Sequence, residues 1–134
     1  MLKNPIARYR LFLGLEMAVV IGVILIFRII ENRGIAGSLA GALFLFSTLA
    51  ILGLEWKQTR HWTWTMVGGV VFLVFSVLPI LVVRALTHGT PFDQAEVMGL
   101  KGRWLHQISN YVFLIFLVGI FISLQKERAK LRGK

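Results

Sequence analysis

Four apolar runs dominate this chain, at residues 11–30, 35–54, 62–86 and 104–124. Each is close to the roughly 20 residues that a helix needs to cross a bilayer core. In hydrocarbon the backbone has no water to bond, so such runs fold as helices that satisfy their own amides. Helices over about 9–30, 35–54, 62–86 and 104–124 use most of the 134 residues. They leave one domain, 1–134, ending in a basic tail at 125–134. The expected fold class is an all-α integral membrane protein of four antiparallel transmembrane helices. Composition agrees: 16% of residues are charged and 57% hydrophobic, where a soluble domain carries roughly 25% charged.

The net charge of +9 speaks to topology before it speaks to partners. Ten of the fifteen Lys and Arg residues fall in the amino-terminal segment (Lys3, Arg8, Arg10), the middle loop (Lys57, Arg60) and the tail (Lys126, Arg128, Lys130, Arg132, Lys134). Arg28, Arg33, Arg84, Lys101 and Arg103 fall on the other side. The positive-inside rule then puts both termini in the cytoplasm and the protein in a plasma (inner) membrane. The first apolar run is too long for a signal peptide and holds Glu16, so it reads as a retained helix. With no cysteine, disulfides, thiolate metal sites and cysteine nucleophiles are excluded.

Small residues mark contact faces. Gly14, Ala18 and Gly22 recur every fourth residue on helix 1, nearly opposite Glu16, and Gly37 and Gly41 repeat the spacing on helix 2. Gly68 and Gly69 do the same service on helix 3. Such rows let backbones approach closely in lipid, either within the chain or along a seam between copies. Pro79 removes an amide and frees the carbonyl of Phe75, which predicts a distortion there. Trp56, Trp62 and Trp64 beside Lys57, Arg60 and His61 suit a headgroup layer with anionic lipid, as does the basic tail. Flanking membrane helices argue against nucleic acid as the partner. In the second external loop, Thr90 and Pro91 resemble a helix start and Gly99 a stop, which predicts a short surface helix.

Two groups of residues are candidates for chemistry. Glu16 has no polar residue three or four positions away, so it must meet another helix, reach water or carry a proton. Ser47 and Thr48 stand at a similar depth. An ionisable group in a span is a functional hypothesis by default; a packed hydrogen-bond knot is the structural alternative. "LGLEMAV" resembles the first-helix glutamate segment of the small multidrug resistance transporters in that single feature. The later helices lack that family's Gly- and Trp-containing segments.

The second group lies at the external end: Arg28, Arg84, His88, Asp93, Glu96, His106 and Asn110. Arg84 with His88 and His106 with Asn110 each share a helix face. Snorkelling arginines balanced by loop carboxylates explain the group structurally. His88 and His106 would alternatively serve as ligands to haem or zinc. No hydrolase constellation, phosphate loop or dinucleotide fingerprint is present. The functional expectation is a non-enzymatic accessory or assembly subunit, associated with itself or other membrane subunits. A homo-oligomeric transporter or channel using Glu16 and a haem-carrying electron-transfer subunit are the alternatives.

Overall fold

The computed structural model describes residues 4–86, 96–97 and 99–133. Helix α1 (Pro5–Ile29) begins at Asn4, whose side chain accepts from the amides of Ile6 and Ala7 at 3.0 and 3.4 Å. Pro5 follows at the first helical position, where a missing amide costs nothing. Helix α2 (Arg33–Thr59) repeats the device: Asn32 accepts from the amides of Gly34 and Ile35 at 3.0 and 3.1 Å. Two orphan donors are met at each start. Arg60, at φ 59°, closes α2 in the left-handed region.

The third span is built in pieces. Helix α3 (Trp64–Phe72) passes through a π-helical turn (Leu73–Val77) into α4 (Leu78–Leu86). The amide of Leu78 donates to the carbonyl of Leu73, five residues back. The distortion expected from Pro79 is thus taken up as one π turn just before it. Helix α5 (Gly102–Arg132) is the longest. All four spans, Pro5–Ile29, Gly34–Thr59, Trp64–Leu86 and Gly102–Arg132, are long and apolar enough to cross a membrane.

Two expectations need correcting. No helix stops at Gly99. Glu96–Val97 (β1) and Leu100–Lys101 (β2) instead pair antiparallel, Glu96 opposite Lys101 and Val97 opposite Leu100. Gly99, at φ 84°, makes the turn between them; a hairpin uses a positive-φ glycine just as a helix stop does. The proposed helix start at Thr90 and Pro91 lies outside the described residues. The basic tail is also shorter than expected, because α5 continues through residues 125–132. Lys130 pairs with Glu127 one turn back at 3.1 Å, and cations in a last turn suit its free carbonyls.

Packing turns on glycines, though not all of those expected. Helix α3 packs most extensively against α5. A Cβ on Gly119 would lie 2.6 Å from the carbonyl oxygen of Trp64, and one on Gly68 3.0 Å from the Cα of Phe116. Backbone meets backbone there, as small residues allow. Gly69 accommodates Leu52, and Gly41 accommodates Leu81. Gly14, by contrast, has nothing opposite it, and Ala18 is exposed; Gly22 has only an ordinary contact with Leu43 at 3.8 Å. Phe44, Phe72, Phe113 and Phe116 form an aromatic core, with ring centroids 5.3–5.8 Å apart. Outside, Ile21, Phe46, Phe75 and Ile115 are each more than half exposed. Hydrocarbon, unlike water, is a good solvent for such a surface.

The two kinds of glycine make a clear prediction. Overpacking a tight site costs about 1–3 kcal/mol. Gly119→Val should therefore lower unfolding stability in detergent by at least that much, whereas Gly14→Val should leave the monomer within about 0.5 kcal/mol of the parent.

Candidate functional site

Polar side chains enter the interior at three levels. The first joins the start of α1 to the end of α2. Arg8 and Glu55 are buried, at 4% and 0% exposure. The Arg8 Nε donates to Glu55 Oε1 at 3.1 Å, and a terminal guanidinium nitrogen lies 3.0 Å from the same oxygen. Thr63, the cap of α3, donates its hydroxyl to the other carboxylate oxygen at 3.0 Å. The guanidinium also donates to the Tyr9 hydroxyl at 3.4 Å and stands 4.9 Å from that ring's centre. One carboxylate therefore ties three chain segments together. Nearby, Ser123 of α5 accepts from both the amide and the hydroxyl of Thr65, at 3.3 and 2.9 Å, meeting an orphan donor in the first turn of α3.

In the sequence Arg8 counts as a topology charge, and nothing near Glu55 in the chain marks it as its partner. The missed signal was spacing. Arg8, Phe12 and Glu16 recur every fourth residue, and all three are buried. An inward α1 row carrying one cation needs an acid on the facing helix.

The second level holds Glu16, Ser47 and Thr48. Arg8 meets Glu55, and Gly22 approaches Leu43. Glu16 lies between those contacts on α1, as Ser47 and Thr48 do on α2. Glu16 and Thr48 are fully buried, and Ser47 lies beside the carboxyl. The Ser47 hydroxyl donates to its own helix, to the carbonyl of Phe44 at 3.2 Å. Among the described residues, neither oxygen of Glu16 nor the hydroxyl of Thr48 has a hydrogen-bond partner. A buried polar group in that condition calls for a functional or solvent explanation.

The third level is a cavity of about 310 Å³ near the opposite end. Its walls come from all four spans. Arg84, His106 and Asn110 line it together with Ser76 and Ser109, whose hydroxyls are 2.6 Å apart. Gly37 makes room for the guanidinium of Arg84, which occupies the space that a Cβ would take. Thus three members of the predicted outer cluster, Arg84, His106 and Asn110, come together. Arg28 is exposed and does not line the cavity. His88 and Asp93 lie outside the described residues, and only the backbone of Glu96 is described. Among the described residues no group of three or more His, Cys, Asp or Glu side chains is placed to hold a metal.

No protein-family model, curated protein or solved structure matches this chain. Its chemistry must therefore be read from its own residues.

The ion pair yields a testable prediction. Removing one partner from a buried pair leaves an uncompensated charge and costs about 3–5 kcal/mol. Glu55→Ala should destabilise the protein by that order in chemical unfolding. The double change Arg8→Met with Glu55→Met should recover most of the loss, because no charge is then stranded.

Proposed function

We propose that this chain is a non-enzymatic accessory or assembly subunit of a plasma (inner) membrane, with four antiparallel transmembrane helices and both termini cytoplasmic. The outer face of α1 carries the reading. Gly14 and Ala18 form a smooth exposed strip there, flanked by exposed Leu11, Met17 and Ile21. Gly37, Gly41, Gly68, Gly69 and Gly119 press against atoms of their own chain, whereas Gly14 meets nothing. The strip fits another transmembrane helix, from a second copy or a different subunit. Packing in lipid depends on such close approach.

The charge distribution supports the orientation. Once Arg8 is set aside as balanced by Glu55, nine basic residues on the proposed cytoplasmic side face five on the other. On that side Lys126 lies 5.4 Å from the ring centre of Trp64. Together with exposed Trp56 and Trp62, it offers a surface for anionic headgroups.

One observation favours a second reading, proton- or cation-coupled transport through Glu16. Its two oxygens are buried without hydrogen-bond partners. Burial within one chain makes this an acid acting inside a protomer, not one shared at a seam between copies. Nothing comparable supports the haem or zinc alternative: of its two proposed ligands only His106 is described.

Native mass spectrometry in mild detergent tests the first reading. Gly14→Leu combined with Ala18→Leu should abolish association while insertion and monomer stability persist. Unchanged assembly would overturn it. For the second, Glu16→Gln should abolish cation- or proton-dependent flux in liposomes; normal flux would end that proposal.

A further inference from the structure

A second opening lies at the other end of the spans, where α5 outruns α3. Gly119 meets the carbonyl of Trp64, and Ser123 meets Thr65 in the first turn of α3. Residues 124–132 of α5 then extend past that start, by roughly 13 Å of helix. Continued helicity gives this segment a face: Ser123, Lys126, Glu127 and Lys130 recur at three- and four-residue spacing on one side. They share a crevice of about 460 Å³ with Trp62 and Trp64. That volume lies within the range of ligand sites, roughly 300–1,000 Å³.

The loop beside the crevice is held in place. Thr63 is bound to Glu55, Thr59 donates to the carbonyl of His61 at 3.0 Å, and the His61 Nδ1 lies 3.2 Å from the carbonyl oxygen of Trp62.

The charges at this end can be accounted for one by one. Of the chain's six acids, Glu16 lies inside the bundle. Glu31 and the segment holding Asp93 and Glu96 join the spans at the opposite end. That leaves Glu55, bound by Arg8, and Glu127, bound by Lys130. Among the described residues Lys126 has no acid within ion-pair distance; its ammonium lies 5.4 Å from the centre of the Trp64 ring. Ser123 is buried and accepts two bonds from Thr65, which leaves its own hydroxyl proton to donate. The crevice therefore sets two ammonium groups and a hydroxyl donor against one carboxylate, and so favours an anion.

Lysine binds phosphate as a point charge. Val67, one turn inward of Trp64, and the two indoles add apolar surface to the same crevice. A free phosphate would engage the donors and leave that surface wet, whereas a lipid covers it. Indoles favour the headgroup layer, and basic pockets beside spans hold anionic headgroups there.

We infer that this crevice binds the headgroup of one anionic phospholipid. Its phosphodiester sits at Lys126 and Ser123, and its glycerol and first methylenes lie against Trp62, Trp64 and Val67. This is one site of fixed stoichiometry, distinct from a general attraction between the basic segment and a leaflet. It stands apart from the partner proposed for α1 and from the direction of insertion.

The test uses phosphatidylglycerol and phosphatidylcholine with identical chains. Binding to the full-length protein in neutral detergent is read by native mass spectrometry and by displacement titration. One equivalent of phosphatidylglycerol should bind at least tenfold more tightly than phosphatidylcholine. Lys126→Gln, at an exposed position, should reduce it to the phosphatidylcholine level. Arg132→Gln, which removes an equal charge outside the crevice, should leave binding within twofold. Unfolding curves confirm that both variants are folded. Glycerophosphoglycerol, the same headgroup without chains, should not displace the lipid at tenfold the lipid's concentration. Equal binding of the two lipids, no binding of either, full binding by Lys126→Gln, or equal losses in the two variants would overturn the proposal. Displacement by glycerophosphoglycerol would overturn the lipid assignment in favour of a soluble phosphodiester.

Discussion

A polar group carried into an apolar span must find its partner within the protein, because the surroundings offer none. That constraint organises this molecule. Asn4 and Asn32 answer it at the helix starts, and Ser123 answers it for an amide of α3. Its largest expression is the Arg8–Glu55 pair, where two charges leave solvent together. The attraction must offset two desolvation costs, so the pair is worth less as net stability than as register. With Thr63 on the second carboxylate oxygen, it sets the end of α2 and the start of α3 against α1. The helix faces above it, including Glu16 and the cavity wall, inherit that alignment.

Much of this was legible in the residues. Helix length and number follow from hydrocarbon thickness, which leaves little freedom to a chain with four long apolar runs. The inward placement of Glu16 with Ser47 and Thr48 follows from depth and helical phase. What escaped was longer in range. Arg8 looks like a topology charge until α2 is laid beside α1, because Glu55 is 47 residues away. The glycines were ambiguous for a similar reason. A four-residue spacing shows which helix face is smooth, but not whether the neighbour is in the same chain. Gly68 presses on α5, whereas Gly14 meets nothing. Gly99 failed as a helix stop because positive φ serves hairpins equally well. Residues 125–132 were assigned to a tail because hydropathy ends there, although helical hydrogen bonding does not.

Two surfaces with different chemistry emerge. The outer face of α1 is smooth and apolar; the cavity is walled by residues of four spans, with Arg84, His106 and Asn110 at one end. They lie on different parts of the molecule, so occupation of one does not exclude the other. Arg84 and Gly37 join α4 to α2 at the cavity, so the packing of those two helices and the shape of the cavity are set together.

The central claim is that the apolar exterior meets lipid while the polar residues are gathered within. The chain contains no cysteine, so single cysteines at chosen positions can each carry one spin label in a reconstituted bilayer. Labels at Phe46→Cys, Phe75→Cys and Ile115→Cys should collide freely with oxygen and poorly with a water-soluble nickel chelate. A label at Trp62→Cys, in the loop between α2 and α3, should show the reverse. Nickel accessibility at Phe46 and Ile115 equal to that at Trp62 would contradict the account.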